Sequence, residues 1–155
     1  MVSSVLIVPA VAASFQQTVN STSTSSAWDD AIWGSPATAA TVGNTYQTGI
    51  GLMTVDNTIN LGTTGVTGRV RAYAGSNGNP VFGGDTLTIV AGSELLIKDG
   101  STAYNANLVL NGGILRFSPN SGTNATLSGS IQVAADSVLG SVQSSACTLR
   151  IASAL

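Results

Sequence analysis

One spacing constrains this chain more than any other feature. In its second half, apolar residues come in alternating pairs: Leu87/Ile89, then Leu95/Ile97 after Ala91-Gly92-Ser93. The layout returns as Leu108/Leu110, Asn111-Gly112-Gly113, Leu115/Phe117, and again as Ile131/Val133, Ala134-Ala135-Asp136 and Val138 or Leu139. Leu149/Ile151 begins another copy. Alternation with period two marks half-buried strands. The leading residues of the copies are Leu87, Leu108, Ile131 and Leu149. They recur with a loose period of about 20 residues, which belongs to architectures that stack one small unit on the next.

Asn111-Gly112 offers a competing reading. Asn-Gly between alternating apolar runs is a strong hairpin signal, because both residues tolerate positive φ. A two-residue turn there places Leu108, Leu110, Leu115 and Phe117 on one face. The equivalent segments VAGSE and VAADS lack that chemistry, and a turn at Ala91-Gly92 sets Ile89 opposite charged Glu94. A layout that recurs while its hairpin chemistry does not reads as a corner in a coil. The expected fold is therefore an all-β parallel β-solenoid, with an antiparallel β-sandwich or meander as the alternative.

Composition agrees with stacked strands. Charged residues make up 8% of the chain, against roughly 25% in an average soluble domain. Ser and Thr are abundant, and such small polar residues are poor in helix interiors. The net charge is −2, with five basic residues scattered along the chain. That argues against nucleic acid and anionic membranes, which need clustered Lys and Arg. No apolar run is long enough for a membrane-spanning helix. A single cysteine, Cys147, permits no internal disulfide, and the absence of histidine removes the commonest general base and metal ligand.

The front end reads as a targeting segment. Val5 to Ala13 is apolar, Pro9 would end a short helix, and Ala10-Val11-Ala12 is a small-x-small cleavage pattern. The basic n-region is missing, so residues 1–13 are expected to be a truncated signal peptide, or else a first buried strand. Residues 14–27 read as a Ser/Thr-rich spacer, 28–84 as an N-terminal capping region with irregular β structure, and 85–155 as solenoid rungs. Within the cap, NTINL and GRVRAY read as strands, and GSNGNPVFGGD as a loop. Ser26 followed by Asp29 is capping-box-like and could open a helical turn. The last residues, TLRIASAL, fall inside or just after a strand, which creates the expectation that the coil continues beyond Leu155.

WDDAIWGSPATAATVGNTYQTG, FGGDTLTIVAGSELLIK, ANLVLNGGILRF, LSGSIQVAADSVLGS and TLRIASAL follow one another in an order that resembles a known family. These are the bacterial secreted proteins built from autotransporter-associated β-strand repeats, similar to autotransporter passenger domains. The similar region covers residues 28 to 155. The resemblance implies a right-handed parallel β-helix, export, display at or beyond the cell surface, and a structural or adhesive role. The family supplies no shared catalytic residues to carry over.

The residues themselves offer little chemistry. Enzymes on parallel β-helices use clustered carboxylates, whereas Asp29, Asp30, Asp56, Asp85, Glu94, Asp99 and Asp136 are scattered. Asp29-Asp30 reads as a cap or turn and Lys98-Asp99 as a turn. Gly83-Gly84-Asp85 matches part of a calcium-binding repeat but occurs once. Trp28, Trp33, Tyr46, Tyr73 and Tyr104 could stack on sugars, though core or cap packing suits the tryptophans better. Arg69, Arg71 and Tyr73 would share an outward face on GRVRAY and form a surface binding stripe.

The expectation is thus a non-catalytic secreted or cell-surface segment acting as scaffold or adhesin. It has no cofactor, metal or catalytic residue, and surface glycans or other cell-surface proteins are its partner classes. A carbohydrate-binding or carbohydrate-cleaving parallel β-helix is the alternative.

Overall fold

The computed structural model describes residues 11–21, 27–52, 66–73, 79–98, 103–118, 124–141 and 148–152. Among them the chain is all-β, without helix. The strands are β1 (Ser14–Gln16), β2 (Thr45–Gln47), β3 (Gly68–Ala72), β4 (Thr86–Val90), β5 (Ser93–Ile97) and β6 (Ala103–Asn105). They continue as β7 (Leu108–Asn111), β8 (Ile114–Phe117), β9 (Ala125–Ser128), β10 (Ile131–Ala135), β11 (Val138–Ser141) and β12 (Leu149–Ile151).

These strands form three sheets, ordered β1-β2-β4-β7-β10, β11-β8-β5-β3 and β12-β9-β6. Every ladder between named strands is parallel. Chain neighbours β7 and β8 therefore lie in different sheets. Leu108 is in register with Leu87 on one side and Ile131 on the other, the leading residues of the copies before and after it. Leu115 lies between Leu95 and Leu139 in the same way. Asn111-Gly112 is thus a corner, and the antiparallel alternative does not hold for these strands.

Backbone chemistry explains the corner. Gly92 and Gly112 have φ of +79° and +80°, a left-handed bend that residues with a Cβ rarely adopt. Gly113 answers a different need. A Cβ there would lie 2.7 Å from the carbonyl oxygen of Ile89, in the preceding copy. The corners stack so closely that only a residue without a side chain fits.

Alternation then fills the interior. Leu87, Ile89, Leu95, Ile97, Leu108, Leu110, Leu115 and Phe117 are all buried in one cluster. Each such side chain contributes on the order of 1.5–3 kcal/mol relative to exposure. Tyr104 and Leu127, in register on β6 and β9, complete the core from the third sheet.

Three expectations need correction. Leu149 does not start a fourth copy of the leading strand. It pairs with Ala125 in the third sheet, because each copy carries a third short strand that the pairwise pattern hides. Residues 14–21, read as spacer, are part of the fold. Phe15 stacks on Tyr46 with ring centroids 5.6 Å apart, β1 pairs with β2, and Gln17 is buried. No helical turn opens at Ser26-Asp29 among the described residues. Instead Asp30 closes a turn, accepting the Ala27 N–H at 2.6 Å while its own N–H donates to the Ala27 carbonyl at 3.0 Å. Ser26, NTINL, Asp56, Asp99, Cys147 and residues 1–10 lie outside the described residues.

Candidate functional site

Two regions concentrate polar chemistry or unmet bonding capacity: the outer face of the β3-β5-β8 sheet, and the two ends of the strand stack.

On β3, Val70 and Ala72 point into the core. Alternation sends Arg69 and Arg71 to the other face, and the Arg71 guanidinium sits 5.2 Å from the centre of the Tyr73 ring, as expected for residues two apart on one side. The shared face foreseen from sequence is therefore present, but it is not an open stripe. Arg69 and Arg71 are only 7% and 5% exposed, and Tyr73 is half-buried. Both faces of β3, β5 and β8 are buried. The apolar core covers one, and the charged side chains on the other are also withdrawn from water.

Parallel register builds an ion ladder there. Arg69 is the cross-strand partner of Glu94. The Arg69 Nε–H donates to Glu94 Oε1, and Arg116 Nε lies 2.9 Å from Oε2, at ion-pair distance though off the line of a hydrogen bond. Glu94 is fully buried, between two buried cations on the strands either side of it. Sequence reasoning missed this triad. The signal was present only in the spacing, since Arg69, Glu94 and Arg116 follow one another at roughly the interval of the repeat.

Asp29, Asp30 and Asp85 are separately engaged. Asp29 Oδ2 accepts the Asn79 N–H at 3.0 Å, Asp30 closes its own turn, and Asp85 Oδ1 accepts the Gly43 N–H at 2.8 Å. Asp85 thus holds a corner, and no group of three or more metal-ligating side chains occurs among the described residues. Asp136 sits at the exposed corner between β10 and β11.

The aromatic residues meet one another. Trp28, Trp33, Tyr46, Phe82 and Tyr104 are buried, with ring centroids 5.1 to 5.9 Å apart in tilted and edge-to-face pairs. Such geometry suits the ring quadrupoles. The two indole N–H groups donate to the carbonyls of Asn79 and Trp28 at 2.7 and 3.0 Å. These rings plug the end of the stack nearest the N-terminus.

Backbone bonds seal the same end. Beyond β3, Arg69 N–H donates to Asn20 Oδ1, the Arg69 carbonyl accepts Ser21 N–H and Gln17 Nε2, and the Arg71 carbonyl accepts Trp28 N–H. Beyond β1, Gly34 N–H donates to the Gln16 carbonyl. Beyond β6, Phe82 N–H donates to the Asn105 carbonyl, and Asn105 N–H to that of Pro80. All three sheet edges at this end therefore have partners that are not strands.

The opposite end differs. β10, β11 and β12 are each the last strand of a sheet among the described residues. Val133 and Leu139, in register with core residues Leu110 and Leu115, are each 60% exposed. Comparison with protein-family models, with curated proteins and with solved structures finds no match.

Proposed function

We propose that this chain is a segment of a secreted, non-catalytic, right-handed parallel β-solenoid that serves as scaffold or adhesin, of the kind assembled from autotransporter-associated β-strand repeats. The observation that carries the reading is the register: β4-β5-β6, β7-β8-β9 and β10-β11-β12 are three successive triplets, each strand paired in parallel with its counterpart in the next triplet. Such an array builds length from small increments, since each turn buries a short apolar row against the next.

The sealed N-terminal end supports the same reading, because an open stack of strands would expose unpaired N–H and C=O groups. So do the acids, each described partner being backbone or arginine rather than an aromatic residue lining a groove. Export is supported by a boundary at Ala12/Ala13, one residue before the end of the segment read as a signal peptide, since Ala13 itself is bonded into the fold. Val11 is 93% exposed, while the Ala13 carbonyl accepts the Thr45 N–H and the Ala13 N–H donates to Asn44 Oδ1. Among the described residues, bonding to the rest of the fold thus begins where the cleavage pattern ends.

The test is retention without turnover. Purified chain is applied to a glycan array and to intact bacterial cells, and release of reducing ends from a polysaccharide panel is followed in parallel. The reading expects no release, with any retention on glycans or cell surfaces persisting unchanged. Release that scales with protein concentration and falls in Asp29, Asp30 or Asp85 variants would support the cleaving β-helix instead.

A further inference from the structure

The outer faces of the sheets are not alike. The outer face of β3, β5 and β8 is closed, whereas that of the five-stranded sheet β1-β2-β4-β7-β10 lies open. On its strands Tyr46, Leu87 and Leu108 turn into the core, so alternation sends their neighbours out. Register then aligns Gln16, Gln47, Thr88, Val109 and Gln132 in one row across all five strands, beside a shorter row of Ser14, Thr45 and Thr86. Gln16, Gln47 and Gln132 are exposed. The five strands hold no Asp, Glu, Lys or Arg. Polar side chains at the adjoining corner are engaged within the fold: Asn44 Oδ1 accepts the Ala13 N–H, and Asn107 Oδ1 accepts the Ser130 N–H. The row differs, since among the described residues no hydrogen bond holds the side chains of Gln16, Gln47, Thr88 or Gln132.

We infer that this face binds a neutral, extended β-linked glycan laid along the stack, which gives the adhesin reading, on which the inference rests, a surface and a ligand class. Neighbouring strands lie about 4.8 Å apart, close to the advance of one pyranose ring in an extended β-1,4-linked chain. A glycan lying across the strands therefore meets a carboxamide or hydroxyl at nearly every ring. A carboxamide donates and accepts at once, which matches neighbouring sugar hydroxyls, and Val109 and the threonine methyls meet the apolar side of a ring. Charge narrows the class. The face offers no cation, and Asp85 and Asp136 stand at its corners, so a uronate chain meets repulsion without a counter-charge. The row also presents no aromatic platform. Each ring is held weakly, and affinity builds with glycan length rather than in one pocket.

Chain 1–155 is titrated with cellobiose, cellohexaose and polygalacturonate by isothermal calorimetry, with far-UV circular dichroism on the same samples. Cellohexaose should bind at least tenfold more tightly than cellobiose, and polygalacturonate should not bind. A tenfold rise in salt should move the cellohexaose dissociation constant less than twofold, since there is no ion pair to screen. Gln47→Ala with Thr88→Ala should weaken cellohexaose binding at least tenfold while leaving the β-sheet spectrum unchanged. Asn105→Ala, on the third sheet, should leave it unmoved. No binding of cellohexaose, an affinity that does not grow with length, or indifference to the double variant overturns the assignment. A preference for polygalacturonate that salt abolishes overturns it as well. Retention on other glycans or on cells by a chain that ignores cellohexaose overturns this face alone and leaves the adhesin reading standing. Loss of the β spectrum in the wild-type chain would count against the solenoid reading and this face together.

Discussion

Replacing Glu94 with leucine should be among the most damaging single changes in the molecule. The side chain is fully buried, bonded to Arg69 through one oxygen and 2.9 Å from Arg116 through the other. Leucine fills a similar volume, so the cost is electrostatic rather than that of a cavity. Two buried guanidiniums lose the acid between them. Removing one partner of a buried ion pair costs about 3–5 kcal/mol, a large share of the roughly 5–15 kcal/mol that holds a domain together. With a urea slope of about 2 kcal/mol per molar, the unfolding midpoint should fall by roughly 1.5–2.5 M. The buried Trp28 and Trp33 report the transition by fluorescence, and far-UV dichroism reports the sheets. The combined variant Arg69→Met, Glu94→Leu, Arg116→Met should recover at least half of the loss, because an apolar face has no charge to strand. A single-variant cost below about 1 kcal/mol, the level of an exposed pair, would refute the reasoning, showing that the acid does not neutralise these arginines. A triple variant no better than the single one would show that the penalty is not one of stranded charge.

Other expectations follow from the same packing. Leu110→Ala should cost about 2–5 kcal/mol, the range for a buried leucine, whereas Leu139→Ala, one turn on at the open end, should shift the urea midpoint of the monomer by little more than experimental error. Gly113→Ala should destabilise by more than about 1 kcal/mol, since the new methyl meets the Ile89 carbonyl oxygen and its side chain; a double variant with Ile89→Ala that costs less than the sum of the two single changes would trace part of the crowding to that side chain. With a basic n-region added ahead of Met1, export from a Gram-negative host should yield a product whose N-terminal sequence begins at Ala13, read by Edman degradation or mass spectrometry; a product that keeps residues 1–12 would remove the export step.

Much of this architecture was legible because period two is a local signal. Leu87/Ile89, Leu95/Ile97, Leu108/Leu110 and Leu115/Phe117 point inward for the reason that alternation predicts, and the glycine corners between them announce the bends. The third sheet was not legible. Its strands are short, and Tyr104 and Leu127 stand among Ala, Asn, Thr and Ser, too few apolar positions to show a period. That gap also misplaced Leu149. β1 was hidden because Phe15 is the lone large apolar residue in a polar stretch. The Arg69-Glu94-Arg116 ladder, marked only by its spacing, was missed for a different reason. Alternation assigns all three to the outer face, and outer residues are ordinarily solvated. Their burial comes from their packing together across neighbouring strands in the fold, which no single strand encodes.

Everything rests on consecutive turns lying side by side in parallel, so that Thr88 neighbours Val109. Placing cysteines at both positions, Thr88→Cys and Val109→Cys in a Cys147→Ser background, tests it directly. Adjacent strands bring Cα atoms within disulfide reach. Under mild oxidation the account predicts a bond joining tryptic peptide 72–98 to peptide 99–116. The companion pair Val109→Cys and Ile114→Cys, which a hairpin at Asn111-Gly112 would place opposite each other, should stay reduced. Efficient closure of that loop, with no link between the two peptides in the first variant, would contradict the account.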